Sequence, residues 1–278
     1  MAFFDLIPPL LMQPFFIMAL LGAFGASIAG GVIGSYVVVK RIVFIGGSIS
    51  HAVIGGLGAA IYLKRVHGVS WLEPIHGALF AAFISAALMA MIRQHYRQRE
   101  DSAIAALWAI GMSVGVILIS LTPGYTSEIT NYLFGNILWA SRSDLLLLFG
   151  LDGVILLVTW IYHRRFLALC FDETQAALQG ENVNLLYLLL LSLIALTVVI
   201  MIQVVGAILL IAFLALPAAI ANTFTHRMSK MMGLAVIIGG ASSILGIGAS
   251  FVLNWPSGST IALTVSLFYL LNLLRKKP

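Results

Sequence analysis

One histidine, His51, lies inside an otherwise apolar stretch, Arg41–Gly58, that reads RIVFIGGSISHAVIGGLG. Neutral imidazole is a common transition-metal ligand. An ionisable group at membrane depth is costly, so it faces a bundle interior or a wet path and not lipid. Ser48 and Ser50 stand close by, with Gly46, Gly47, Gly55, Gly56 and Gly58 around them. Small residues one turn away let a neighbouring backbone approach. Two readings stay open for His51: a metal contact, or a side chain hydrogen-bonded to a neighbouring helix.

Asp152 is the second residue with chemical potential, well inside the apolar run that Asp144 opens. An unpaired carboxylate there is expensive, so it is expected to be neutral, paired or hydrated. It could face His51 across a pathway as a second metal contact, or be protonated and capped by a hydroxyl. His67, Glu73 and His76 gather between two apolar runs, where they could hand over a cation or simply form a solvated loop. Asn131, Asn136, Gln203 and Asn222 read as helix–helix hydrogen-bond partners. Pro217, in LIAFLALPAAIAN, removes a backbone donor and is expected to kink its helix, as a pathway hinge or a static bend. In NWPSGS, Asn254–Ser259, Pro256 and Gly258 supply turn chemistry.

A third feature is the polar segment Phe166–Asn184, FLALCFDETQAALQGENVN. Asp172 and Glu173 precede a short helical stretch, Thr174–Gln179, and acid at a first turn suits the helix dipole. Gly180 can end the helix in a left-handed conformation. Its apolar side, Phe171, Ala176, Ala177 and Leu178, could dock in a partner's groove or lie on lipid.

These residues must be positioned by membrane helices. The 278 residues are 61% hydrophobic and 9% charged, which excludes a soluble globule with a polar coat. Apolar runs fall near 15–39, 49–64, 72–92, 103–121, 144–162, 185–204, 206–222, 231–253 and 258–274, most of them close to the roughly 20 residues that cross a bilayer. The second and seventh are short and carry Gly or Pro, where transporters often bury a site. The reading is an all-α polytopic membrane protein with about nine transmembrane helices, eight to nine, in one domain over 1–278.

Of the fifteen Lys and Arg residues, twelve follow odd-numbered runs: Lys40, Arg41, Arg93, Arg97, Arg99, Arg164, Arg165, Arg227, Lys230, Arg275, Lys276 and Lys277. Only Lys64, Arg65 and Arg142 fall on the other side. The positive-inside rule then puts the N-terminus outside, the C-terminus in the cytoplasm and 166–184 in a cytoplasmic loop. Trp71, Trp139 and Trp255 fall at outer ends and Trp108 and Trp160 near inner ends, as interfacial rings do. Residues 123–143 must begin and end outside, so they are expected to re-enter or lie at the interface. The asymmetry accounts for the basic charge, so no nucleic-acid partner is implied.

A single cysteine, Cys170, rules out a disulfide framework and a multi-cysteine metal site within one chain. The first apolar run has no preceding Lys or Arg, unlike a cleaved signal peptide. No phosphate loop of the GxxxxGK type occurs and no loop holds an ATPase fold, so energy must come from a partner or an ion gradient. No internal repeat is evident.

The run VVVKRIVFIGGSISHAVIGG resembles the signature of bacterial zinc/manganese/iron-type ABC importer permeases. So do FDETQAALQG, VVGAILLIAFLALPAAIAN and PSGSTIALTVSLFYLL, in order from about residue 15 to 272. The resemblance implies a multi-pass permease of the bacterial cytoplasmic (inner) membrane that catalyses no covalent chemistry and holds no permanent cofactor. It implies a homodimer forming one pathway for a divalent metal ion, two cytoplasmic ABC ATPase subunits below and an extracytoplasmic metal-binding protein above. FDETQAALQG then resembles the coupling helix, with Phe171, Asp172, Glu173, Gln175, Ala176, Leu178 and Gly180 at the ATPase. Many members carry Gly-Asp one turn before the histidine, but here that position is Gly47, so the metal-contact role carries over to His51 alone. Losing that carboxylate weakens a site for hard Mn²⁺ more than for Zn²⁺, which tilts the expectation toward zinc. Asp152 could replace it. The competing readings are an ion-coupled secondary transporter using His51 and Asp152, a permease for a larger metal chelate, and a membrane scaffold in which His51 only packs.

Overall fold

The structure, a computed structural model, describes residues 13–95, 100–124, 137 and 140–275. Ten helices follow one another: α1 (Pro14–Lys40), α2 (Val43–Val66), α3 (Pro74–His95), α4 (Glu100–Ser120), α5 (Arg142–Phe171), α6 (Glu173–Leu178), α7 (Val183–Val205), α8 (Ala207–Ala221), α9 (Met228–Leu253) and α10 (Ser257–Arg275). Eight of them are long and apolar enough to cross a membrane, and α8, at 15 residues, is the shorter apolar helix. The chain is an all-helical, multi-pass membrane protein. Most of segment 123–143, expected at the outer side, with Asn131, Asn136 and Trp139, lies outside the described residues.

Two boundaries differ from the sequence expectation. The second run is not short: α2 spans 24 residues because VFIGGS, ahead of the run expected at 49–64, is already helical. The fifth run extends to Phe171, so 166–171 belongs to a 30-residue helix and only the remainder of 166–184 connects to α7. Helix breaks elsewhere follow backbone chemistry. Gly206, at φ +83, separates α7 from α8 in a conformation that costs other residues strain. After α9 the turn is made by Asn254 at φ 53, while Gly258 lies within the first turn of α10.

The described residues form two compact units. The first holds 13–38, 137, 140–156 and 200–275. In it α8, α9 and α10 pack together, and α1 lies against α8 through glycines. A Cβ at Gly34 would sit 2.2 Å from the Leu214 carbonyl oxygen, and one at Gly30 would sit 3.1 Å from that of Phe213. Pro217 has no N–H to offer the Phe213 carbonyl four residues back, and Gly30 lies against that oxygen. The helix continues through Pro217, which is buried, and does not end there.

The second unit holds 39–95, 100–124 and 157–199. Its centre is α2, packed against α3 and α4. Gly56 and Gly77 meet face to face: a Cβ on either would lie 2.1 or 2.2 Å from the other's carbonyl oxygen. A Cβ on Gly111 of α4 would lie 2.5 Å from Ala52 Cα and 2.9 Å from the His51 carbonyl carbon. The glycines around His51 therefore serve close helix contact, as their spacing suggests.

Candidate functional site

Most buried serines in this protein return their hydroxyl to their own helix, four residues back. Ser27 donates to Ala23 O at 2.6 Å, Ser35 to Gly31 O at 2.6 Å, and Ser243 to Gly239 O at 2.9 Å. Ser48 and Ser50 do neither this nor anything else among the described residues, although both are fully buried. His51 Nδ1, on the same turn, is likewise buried and without a partner there. Buried polar atoms normally find a bond, because leaving one unmade costs about 1–3 kcal/mol. Three such atoms fall within one turn of α2, with Ser48 and His51 on the same face and Ser50 directed elsewhere.

The His51 ring is held by stacking. It lies on Trp108 of α4 with ring centroids 4.4 Å apart and planes 22° from parallel. The same indole explains Gly47: a Cβ there would be 3.2 Å from Trp108 Cζ3, so the ring fills space where a longer side chain would project. Trp108, expected near an inner end, also orients the histidine. Nothing in the linear sequence pairs positions 51 and 108.

Asp152 belongs to the other unit. It is 2% exposed, both carboxylate oxygens lack a hydrogen-bond partner among the described residues, and the expected hydroxyl cap is not found there. Oδ2 lies 3.3 Å from where a Cβ on Gly25 of α1 would stand. Gln203, read as a helix–helix partner, donates to Asp144 Oδ1 at 3.3 Å. Glu73 is engaged by Lys64 Nζ at 2.6 Å, and its backbone N–H donates to His76 Nδ1 at 3.1 Å. No three His, Cys, Asp or Glu side chains converge as a metal cage among the described residues.

The short helix α6 runs one residue ahead of expectation, and its caps explain why six residues hold together. Asp172 Oδ1 accepts the Gln175 N–H at 3.0 Å. At the other end Gly180, at φ +84, donates to Ala177 O at 3.0 Å and Glu181 donates to Ala176 O at 3.1 Å, a full Schellman closure. The apolar side divides. Phe171 and Leu178 are 73% and 84% exposed, whereas Ala176 is completely buried and supports the helix from below instead of facing a partner. Asp172, Gln175 and Gly180 are exposed.

Glu173 also turns inward. Its carboxylate accepts hydrogen bonds from Lys40 of α1 and Arg93 of α3. Burial alone would push this carboxyl up, but the hydrogen bonds and charges of Lys40 and Arg93 outweigh it and hold it below its ordinary value. Both cations entered the sequence reading only as positive charges of the inner side.

Residues 12–276 match the family model described as the ABC 3 transport family. A "Probable metal transport system membrane protein" of Chlamydia muridarum is 43% identical over 274 residues, covering 99% of this chain and 92% of that protein. The "Manganese transport system membrane protein MntC" of Halalkalibacterium halodurans is 33% identical over 269 residues, covering 97% and 89%. The solved structure of "PsaBC from Streptococcus pneumoniae in complex with Fab" aligns with a TM-score of 0.84 at 30% identity, covering 98% of this chain and 95% of that one.

Proposed function

The chain belongs to the ABC 3 transport family, and on that premise we propose that two copies of it form the pathway of an ATP-driven importer for a divalent transition-metal ion. The observation that carries the site is the unpartnered turn of α2. His51 offers one imidazole nitrogen and Ser48, one turn before it on the same face, a hydroxyl, neither with a competing bond among the described residues. Such a set is weak for a metal, and weakness is required: tight coordination would trap the ion, and an apolar path would exclude it. The stack on Trp108 fixes the imidazole so that less side-chain freedom is lost when the ion arrives.

ATP is hydrolysed on separate subunits. The exposed Phe171, at the end of α5, and Leu178, at the end of α6, suit insertion into an apolar groove of such a subunit. The N-terminus lies outside, where a binding protein delivers the ion, and the C-terminus lies in the cytoplasm. For the ion, the manganese-named relatives support Mn²⁺. An imidazole with no carboxylate on the same turn favours Zn²⁺ over the harder ion.

The deciding experiment is uptake of radiolabelled Mn²⁺ and Zn²⁺, each competed by the other, into vesicles carrying this chain with its ATPase and binding protein. ATP-dependent uptake of one ion that His51→Ala abolishes, with the complex still assembled, supports both pathway and site. Uptake untouched by His51→Ala keeps the importer and returns His51 to packing. Uptake without ATP would instead favour an ion-coupled transporter using His51 and Asp152.

A further inference from the structure

We propose that Glu173 is a positioning residue: through it the short helix α6 grips the end of α1 and the end of α3, the elements on either side of the helix that carries His51, so that movement of a docked ATPase reaches the metal site. This rests on the reading of α6 as the ATPase contact. The geometry is a three-way tie. Lys40 is the last residue of α1 and stands just ahead of α2; its Nζ donates to the Leu169 carbonyl at 2.6 Å and to the Glu173 carboxylate. Arg93, in the last turn of α3, donates to the same carboxylate oxygen, and its guanidinium lies over the Tyr187 ring of α7 at 3.9 Å. One carboxylate thus joins α6 to the α1–α2 turn, to α3 and, through Arg93, to α7.

Both cations lead to His51. From Lys40 the route is the turn itself, where Arg41 holds the left-handed region at φ 62, unusual for a residue with a side chain, and α2 begins at Val43. From Arg93 the route is α3, locked to α2 by the Gly56–Gly77 contact, where the backbones are too close to slide freely. Leu178 of α6, with Phe171 at the end of α5 just before it, is exposed, so the segment has an outward grip for a partner and an inward grip on the bundle. A second ion pair at the end of this segment, Arg165 with Glu181 at 3.1 Å, has an arginine more than half exposed and is the weaker tie.

The test uses the full complex in proteoliposomes and reads ions transported per ATP hydrolysed, with Mn²⁺ or Zn²⁺, whichever the wild type carries. Glu173→Gln keeps the size and removes the charge, and a polar cavity of about 280 Å³ beside the pair leaves it room. The expected result is transport per ATP hydrolysed reduced about tenfold, the scale set by losing charge-assisted hydrogen bonds. An unchanged ratio overturns the proposal.

Should Glu173→Gln fail to assemble, Lys40→Cys with Glu173→Cys in a Cys170→Ser background tests the same tie. The open dithiol is expected to be uncoupled, and a short bifunctional thiol crosslinker to restore coupling. A crosslinked protein that stays uncoupled overturns the clamp. A wild-type complex without ATP-driven uptake overturns the permease reading and the clamp with it. Wild-type uptake with an unaltered ratio in Glu173→Gln overturns the clamp alone.

Discussion

On the proposed function the imidazole of His51 has two jobs that a single substitution can separate. Its face packs on Trp108, and its Nδ1, without a partner among the described residues, is the atom proposed to meet the ion. A phenyl ring keeps the stack, worth about 0.5–1.5 kcal/mol, and lacks the nitrogen. His51→Phe is therefore expected to fold and unfold like the wild type, with a midpoint shift of no more than about 4 °C, while metal uptake is lost. Uptake that survives in His51→Phe would assign the ring to packing. Asp152 poses the opposite trade. A buried carboxylate without a partner destabilises the fold, and an apolar side chain of similar volume removes that cost. Asp152→Leu is expected to raise the thermal midpoint in detergent, by about 2–4 °C for each kcal/mol recovered, and to abolish uptake. A variant that is no more stable would mean the carboxylate has a partner in the folded protein, and one that transports normally would remove Asp152 from the pathway. Both residues stand out in the sequence because polarity inside an apolar run is a local signal. Their surroundings do not, because Trp108 and Gly25 reach them only through helix packing.

At the level of elements, the glycines are the parts whose role is legible early. A run of small residues beside His51 announces a close neighbour, and the structure identifies the neighbours as α3 and α4. Gly77→Ala would push a methyl to 2.2 Å from the Gly56 carbonyl oxygen, with backbone on the other side that cannot swing away. The expected cost is about 1–3 kcal/mol or loss of the folded protein, measured as a fall in thermal midpoint or yield. Normal stability would mean that α2 and α3 separate readily, which would also weaken the route from Arg93 to His51. The clamp on α6 makes a prediction of its own in pH. Glu173 is held below its ordinary value, so its stabilising contribution is complete above the carboxyl's unfolded pKa and is lost as pH falls through the depressed folded one. Lys40 and Arg93 are the charged groups that face it, from α1 and α3. Wild-type coupling should thus be flat around neutrality and fall in acid, whereas Glu173→Gln should lack that acid limb. Identical profiles would place the titrating group elsewhere.

Across the whole molecule, apolar length was readable because crossing hydrocarbon is a local requirement on each segment, and the nine runs correspond to nine helices. What hydropathy cannot report is where a helix ends. Arg164 and Arg165 mark the edge of the apolar span, yet α5 continues past them to Phe171 because a helix does not stop at a membrane surface. Gly46 and Gly47 lower helix propensity, yet tertiary packing keeps them helical. The clamp was invisible for a different reason: its partners are 133 and 80 residues apart, and charge counting treats Lys40 and Arg93 as interchangeable. The remaining global question is the number of crossings, and it turns on α8. Its 15 residues reach about 22 Å, short of about 30 Å of hydrocarbon. Its buried residues include Leu209, Leu210, Phe213, Leu214 and Pro217, so protein rather than lipid lines much of its length, and a short helix can complete a crossing in such surroundings. The basic residues following it, Arg227 and Lys230, require this crossing if the positive-inside rule holds for the chain. In a Cys170→Ser background, His226→Cys is expected to react with a membrane-impermeant thiol reagent only in inside-out vesicles, and Trp71→Cys only in intact cells. Labelling of both from the same side would mean that α8 turns back, leaving an even number of crossings and both termini on one face of the membrane.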